Sequence, residues 1–329
     1  MEFAFAGTPE FAAWVLSDLA ALGRRPCLVI SQPDRPRGRG RRAAPPPAVV
    51  QAGCLGIPCL QTDDINAPSV AERLGESGAG ALVVAAFGQM LRHPLLDSIL
   101  CLNIHASLLP AYRGAAPVER ALAAGEPRTG VSIMRVTDRL DEGPWALQTA
   151  VSVGLREDAG ALGRSLALLG AVGMTLVLEG LKDGTVTWTE QEGPGSYAEK
   201  LIARDCVLDF ALGAKQVHDR VRSLSPCLGA RAASGGARFK VWRTWPYGQE
   251  GSDPAPPGAA AVAGRPGRLR VTGERLFAGC GEGVVEILAV QPNGKSRMSA
   301  AAFLRGYAGG LGDVIHSGGE TGSSACEDN

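Results

Sequence analysis

Asn103, His105 and Asp141 combine side-chain types that can move protons and steady a developing negative charge. Asn103 and His105 stand two positions apart in the run Cys101-Leu102-Asn103-Ile104-His105. Strand side chains alternate faces, so the amide and the imidazole point one way while Leu102 and Ile104 point the other. Asp141 follows in Leu140-Asp141-Glu142-Gly143-Pro144, shortly after the apolar run 130–136. An imidazole titrates near neutral pH and shuttles protons. A carboxylate orients it or favours its charged form. An amide N–H donates to an oxygen that becomes negative in a tetrahedral transition state. The set fits acyl or formyl transfer to an amine, with no activated Ser or Cys required. The plainer alternative is that His105 caps a strand and Asp141 a turn, and spacing alone favours it.

Two further stretches carry chemistry. Residues 32–47 hold Arg35, Arg37, Arg39, Arg41 and Arg42 among prolines and glycines, which argue against a regular helix or strand there. Arginine grips phosphate bidentately and stays charged, so the loop suits a nucleic-acid backbone, unless it is simply solvated. Residues 85–91 end an apolar run with Phe87, Gly88, Gln89 and Leu91. Gly88 would admit a flat ligand close to the main chain and Phe87 would offer an apolar wall; taken alone, the stretch reads better as an ordinary strand–helix turn. The first strand lacks GxGxxG and the chain has no Walker motif, which argues against NAD. The eight cysteines form no CxxC pair and no His cluster joins them, so no metal site is expected. His93 reads as structural, His218 as a surface residue of a helix, and His316 as part of a tail.

The elements that must position these residues alternate. Strands are expected near 2–6, 27–31, 58–61, 81–86, 101–105 and 130–136, with helices near 9–22, 46–54, 67–76 and 115–124. Thr8 would cap the first helix. Alternating helices and buried strands imply a parallel α/β sheet, whose ligands bind beyond the strand carboxyl ends. Residues 7–8, 86–88, 103–114 and 137–143 would share that edge. A long helix over 155–181 and a strand over 186–189 precede a Gly/Pro linker. A helix over 212–224 and short strands near 239–243, 268–272, 276–278 and 284–290 then suggest a small β-barrel. Residues 1–188, 189–205, 206–308 and 309–329 are thus expected to be a catalytic domain, a linker, a barrel domain and a disordered tail, whose removal from 311 onward would be silent.

The chain has 329 residues and a formal net charge of zero, with no apolar run of about 18 residues and no secretory leader, so a cytoplasmic protein is expected. The neutral total conceals a basic segment: residues 207–306 carry 14 Lys and Arg against 7 Asp and Glu. That excess favours a polyanionic partner over a merely solvated surface only when joined to the arginine loop.

These stretches together resemble the methionyl-tRNA formyltransferases, within the wider folate-dependent formyltransferase family. The likeness rests on FAGTPEFA (5–12), QPDRPRGRG (32–40), NIHASLLPAYRGAAPV (103–118), TGVSIM (129–134), LDEGP (140–144), YAEKL (197–201) and AVQPNGKSRMSA (289–300). It covers nearly the whole chain to about residue 306. The Asn/His/Asp core and the SLLP turn are shared across the wider family; the arginine loop and the barrel narrow it to the tRNA enzymes. The resemblance implies a Rossmann-like domain that binds 10-formyltetrahydrofolate, an OB-like barrel that helps hold initiator methionyl-tRNA, and a role in translation initiation. It implies catalytic roles for Asn103, His105 and Asp141, folate contacts at Ser107, Leu108, Leu109 and Pro110, a pterin site near Phe87, Gly88, Gln89 and Leu91, and insertion of the arginine loop into the acceptor arm. A monomer is expected. Three departures from the family pattern stand out: Leu91-Arg92 in place of Leu-Pro, Cys227 in place of an aromatic residue, and Glu142 beside Asp141. Formyl transfer to a nucleotide-linked amino sugar, formyl-folate hydrolysis and a non-catalytic nucleic-acid binder are the competing readings.

Overall fold

The computed structural model describes residues 1–37, 42–248 and 253–317. Its first half is, in chain order, β1 (Phe3–Gly7), α1 (Glu10–Ala21), β2 (Leu28–Ser31), β3 (Arg35–Arg37), β4 (Arg42–Ala44), α2 (Pro47–Leu55), β5 (Cys59–Gln61), α3 (Pro68–Glu76), β6 (Ala81–Ala85), α4 (Leu95–Ser98), β7 (Leu100–His105), β8 (Arg113–Gly114), α5 (Pro117–Ala124), β9 (Arg128–Arg135), β10 (Trp145–Ser152) and α6 (Ala159–Asp183). Seven strands form one sheet in the order β10-β9-β7-β6-β1-β2-β5. The pairings from β7 across to β5 are parallel, whereas β9 runs antiparallel to both β7 and β10.

Alternation along the strands builds two cores. Phe3 and Phe5 of β1, with Leu102 and Ile104 of β7, join the cluster that α1 and α6 complete with Leu16, Leu19, Leu162 and Leu166. Ala4 and Ala6 face the opposite cluster, with Val70 and Leu74 of α3 and Leu95 of α4. Period-two patterning therefore places Asn103 and His105 on the α3–α4 side of β7. Among the described residues α6 is long and apolar enough to cross a membrane, but Leu162, Leu166, Ala171, Met174 and Val177 bury one side of it in the first core. Gly170 makes that packing possible: a Cβ there would fall 2.4 Å from Ile104 Cγ2, directly between the strand's two polar residues.

The antiparallel β9 corrects the expected edge. Residues 137–143 leave the sheet at the amino end of β7, not beside its carboxyl end, and fold back to reach Asn103. Nor does Thr8 cap α1: its Oγ1–H donates to the Phe87 carbonyl oxygen at 3.0 Å, and Pro9 takes the cap position without a side-chain bond. The arginine stretch is not irregular throughout. β3 and β4 pair antiparallel, with Pro36 opposite Ala43, because a two-stranded edge tolerates the missing N–H. β10 was not foreseen, and only Thr189 of the strand expected over 186–189 bridges to it, opposite Trp145.

The second half comprises β11 (Tyr197–Ala198), α7 (Ala214–Ser223), β12 (Ala230–Ser234), β13 (Ala237–Tyr247), β14 (Leu269–Thr272), β15 (Arg275–Gly279), β16 (Val284–Pro292), β17 (Met298–Ser299), α8 (Ala300–Tyr307) and β18 (Ile315–Ser317). β12 to β18 make a curled antiparallel half-barrel in the order β14-β15-β16-β13-β12-β18, with β17 on β16. Its two ends meet: Arg268 bridges Val314, and the Ile315 N–H donates to Gly267 O at 2.7 Å. The composition of 309–329 suggested a tail, yet 315–317 is the closing strand, with His316 opposite Ala233 and Ile315 only 1% exposed. One buried apolar side chain, three ladder positions on β12, and the Gly267 and Ser234 hydrogen bonds dock it. Residues 318–329 lie outside the described residues.

Candidate active site

Asn103, His105 and Asp141 converge. Asn103 Nδ2–H donates to Asp141 Oδ1 at 3.2 Å. Asp141 Oδ2 lies 3.6 Å from His105 Nδ1 and accepts the Gly114 backbone N–H at 2.8 Å. The other ring nitrogen, Nε2, is 2.8 Å from Tyr112 O. A carbonyl oxygen only accepts, so Nε2 carries a proton, and Nδ1 is the nitrogen left to face the carboxylate. A second proton would sit between Nδ1 and Asp141. His105 is 5% exposed and the Asp141 side chain 12%, so both work largely out of water. Asp141 takes φ 52° and Tyr112 φ 59°, left-handed conformations that L side chains avoid and that surrounding contacts must hold.

The SLLP turn is supported from below by β9 and β10. Ser132 Oγ–H donates to Ser107 O at 2.7 Å and accepts the Leu109 N–H at 3.0 Å. Gln148 Nε2 donates to Leu109 O at 2.8 Å and to Ser132 Oγ at 3.0 Å. Ser107 Oγ–H is used internally, on Ala111 O at 2.5 Å, and Leu109 is buried, so Leu108 and Pro110 carry the turn's half-exposed surface. Register puts Val84 opposite Asn103, so the chain after β6 emerges beside His105. There Phe87 turns inward to the core, Leu91 is buried with it, and the exposed residues are Ala86, Gly88 and Met90. Gln89 ties down a neighbouring loop, accepting the Ile65 N–H at 2.7 Å and donating to Thr62 O at 3.1 Å. Cys101, two residues before Asn103, is no nucleophile: burial pushes its thiol up to about 12, against a weaker opposing pull from Arg135.

The arginine hairpin joins this edge through Gln32. Gln32 Nε2 donates to Phe87 O at 2.7 Å and its Oε1 accepts from Arg35 at 2.6 Å. Arg39 and Arg41 lie outside the described residues, as do the side chains of Arg37 and Arg42.

The sequence placed Tyr112, Arg113 and Gly114 on the expected edge without a role and gave none to Ser132, Gln148, Gln191 or Ser196, yet all seven brace the site. Ser132 and Gln148 had a signal, being polar residues on apolar strands. Gln191 and Ser196 had none, since both stand in what reads as a linker.

A second polar cluster lies at the junction of the two halves. His218 of α7 is 4% exposed, not a surface residue. Its Nε2–H donates to Leu155 O at 2.8 Å, and its Nδ1 accepts from Thr244 Oγ1 at 3.0 Å. Burial pushes this imidazole down; the Leu155 bond opposes it, Arg222 adds to it, Asp219 opposes it and Lys215 adds to it. Arg222 donates to Gly154 O at 2.8 Å and pairs with Asp219 at 2.8 Å, and α5 is held by Arg120 on Asp205 at 2.8 and 2.9 Å. Beside these contacts a cavity of about 310 Å³ opens, lined by Arg156, Arg243, Trp245, Tyr247 and Glu286, with the Arg156 guanidinium 4.8 Å from the Trp245 ring centre.

Residues 1–178 match the formyl transferase family and residues 200–308 match the formyl transferase C-terminal domain. The chain is 46% identical over 313 residues to a methionyl-tRNA formyltransferase of Rubrobacter xylanophilus, covering 93% of this chain and 97% of that protein. It is 40% identical over 311 residues to the methionyl-tRNA formyltransferase of Methylococcus capsulatus, covering 94% and 97%. The chain belongs to the methionyl-tRNA formyltransferase family. Like its fold, this formyltransferase's domain pair recurs in HypX of Aquifex aeolicus, solved in complex with tetrahydrofolic acid: the TM-score is 0.64 at 14% identity, over 95% of this chain and 48% of that one.

Proposed function

We propose that this formyltransferase moves the formyl group of 10-formyltetrahydrofolate onto the amino group of methionyl initiator tRNA, and that Asn103, His105 and Asp141 carry the chemistry. The observation behind this is the convergence of an amide donor, an imidazole with one nitrogen facing a carboxylate, and that carboxylate, at the mouth of a folate-enzyme fold. The amine attacks the formyl carbon and a C–N bond forms. The carbonyl oxygen, now negative, accepts from the second N–H of the Asn103 amide and, when His105 carries a second proton beside Asp141, from its Nδ1–H. Asp141 takes up the amine proton, which passes to the folate nitrogen as its bond to the formyl carbon breaks. Each oxyanion donor in a dry site lowers the barrier by about 2.7–4 kcal/mol.

The folate would lie along the open main chain at Ala86 and Gly88 and against the Leu108–Pro110 turn. A Cβ on Gly88, at φ 83°, would fall 2.7 Å from Gln32 Nε2, so glycine is required there by Gln32, which braces the exposed main chain from one side. The arginine hairpin and the basic half-barrel favour an RNA acceptor over an amino sugar, which needs no such arm. In this reading residues 1–188 catalyse and residues 206–308 hold RNA.

Single-turnover transfer from 10-formyltetrahydrofolate to charged initiator tRNA tests the reading, with free methionine and uncharged tRNA as controls. Formylation confined to the charged tRNA is expected. Folate turnover without it would favour an amino-sugar acceptor or hydrolysis.

A further inference from the structure

We propose that the segment joining the two halves, residues 189–200, is a positioning element of the active site, with Gln191 as its central residue. The inference rests on the formyl-transfer reading of Asp141 and His105.

Two of the three non-glycine residues held at positive φ around the triad, Asp141 and Tyr112, are gripped by this one segment; the third, Ala86, follows β6. Gln191 Nε2 donates to Asp141 O at 2.7 Å and to Gly143 O at 2.8 Å, so it brackets the catalytic carboxylate's own backbone. The amide cannot flip, because Gln191 Oε1 accepts from Arg113 Nε at 3.0 Å and Arg113 Nη2 at 2.8 Å. Arg113 Nη1 donates to Glu142 Oε1 at 3.1 Å, and the Tyr197 hydroxyl donates to the same oxygen at 2.9 Å. On the other strained residue, Ser196 Oγ accepts the Tyr112 N–H at 2.9 Å while Ser196 O accepts the Arg113 N–H at 2.8 Å. Tyr112 is the residue whose carbonyl fixes the His105 tautomer. β11 then pairs in parallel with β8, Tyr197 opposite Arg113 and Ala198 opposite Gly114, and Gly114 supplies the N–H on Asp141 Oδ2.

A tether between domains has no physical need to satisfy these particular peptide groups. The backbone at Asp141 and Tyr112 departs from its relaxed form, and an outside contact must make that departure stable. Gln191 does so for the carboxylate and Ser196 for the imidazole. Neither side chain is placed against a reacting atom, so both act by position. Glu142, the residue that departs from the family pattern, is the acid through which Arg113 is held.

The test compares full-length Gln191→Leu and Gln191→Glu with the unaltered protein. Glutamate keeps the acceptor for Arg113 and loses both donations to the Asp141 loop. Both variants are expected to lose about 10- to 100-fold in kcat, since small misplacements of a catalytic group are costly. KM for the formyl donor and for charged tRNA should stay within about twofold. Hydrogen exchange of the Gly114 amide, read without any substrate, should speed by about tenfold or more as Asp141 loosens. Unchanged kcat and unchanged Gly114 exchange in a folded variant would overturn the proposal, as would a loss confined to KM for tRNA, which marks a tether. If the unaltered protein formylates no tRNA, the functional reading fails, and Gly114 exchange still decides the positioning claim.

Discussion

Two regions of this molecule each bury a histidine against backbone carbonyls, and they differ in what the second ring nitrogen meets. At the end of β7, His105 gives one N–H to Tyr112 O and turns its other nitrogen toward a carboxylate 3.6 Å away. At the junction of the halves, His218 gives one N–H to Leu155 O and closes its other nitrogen with the Thr244 hydroxyl at 3.0 Å. The two rings are 5% and 4% exposed, so burial does not distinguish them. Saturation does. A ring with both nitrogens satisfied by neutral groups is fixed in one charge state and holds parts together. A ring with one nitrogen facing an anion can gain and release a proton without leaving its place.

The sharpest way to break this comparison is Asp141→Asn. It removes the anion and should lower single-turnover formyl transfer by about 100- to 10,000-fold while the melting temperature changes little. Near-normal turnover would mean that the His105 region is as structural as the His218 region. Arg222→Met works on the other side. It strips the 2%-exposed Asp219 carboxylate of a buried partner, although Lys215 remains at 2.7 Å. A loss of about 3 kcal/mol in unfolding free energy is expected, read from urea midpoints, with the chemical step of the folded fraction kept. His218→Ala should cost about 1–3 kcal/mol by the same measurement, because the Leu155 carbonyl and the Thr244 hydroxyl lose their partner.

The smallest effect is on pH. Burial keeps His218 neutral, so its folded affinity for a proton lies below the ordinary value of 6.5. Above that value neither state is charged and the residue adds no pH dependence. As pH falls through it, the unfolded chain binds a proton that the folded chain refuses, and stability falls. His218→Gln should remove that part of the slope, at most about 1.4 kcal/mol per pH unit. Equal slopes in both proteins, measured between about pH 7.5 and about pH 5.5, would show that the ring is not held neutral.

Much of the site was legible because its signals are local. The spacing of Asn103 and His105 in an apolar run defines one face of a strand whatever the strand's neighbours. The partnership with Asp141 was foreseen for an inexact reason: it was expected at a shared strand edge, but β9 turns back and the loop returns across the sheet. The arginine run was recognised by composition, and its pairing as β3 and β4 was missed because Pro and Gly spoke against order. Closing strand 315–317 was hidden in Gly- and Asp-rich sequence, since Ile315 is its single strong apolar anchor. Deleting 311–329, once expected to be silent, should therefore destabilise the half-barrel by about 1.5–3 kcal/mol from that side chain alone, measurable by thermal melting.

The sequence by itself determined the alternation of helices and strands, the pairing of polar types at the end of β7, the basic character of the second half and the family. Those follow from side-chain periodicity, composition and motifs, which are properties of neighbours along the chain. Tertiary structure alone decided the direction of β9, the neutral tautomer of the buried His218, the inward turn of Phe87 and the attachment of Gln191 to Asp141. Each of these depends on which distant group satisfies a buried polar atom or fills a cavity. Gln191 and Asp141 are 50 residues apart, and nothing in either local stretch records that they will meet.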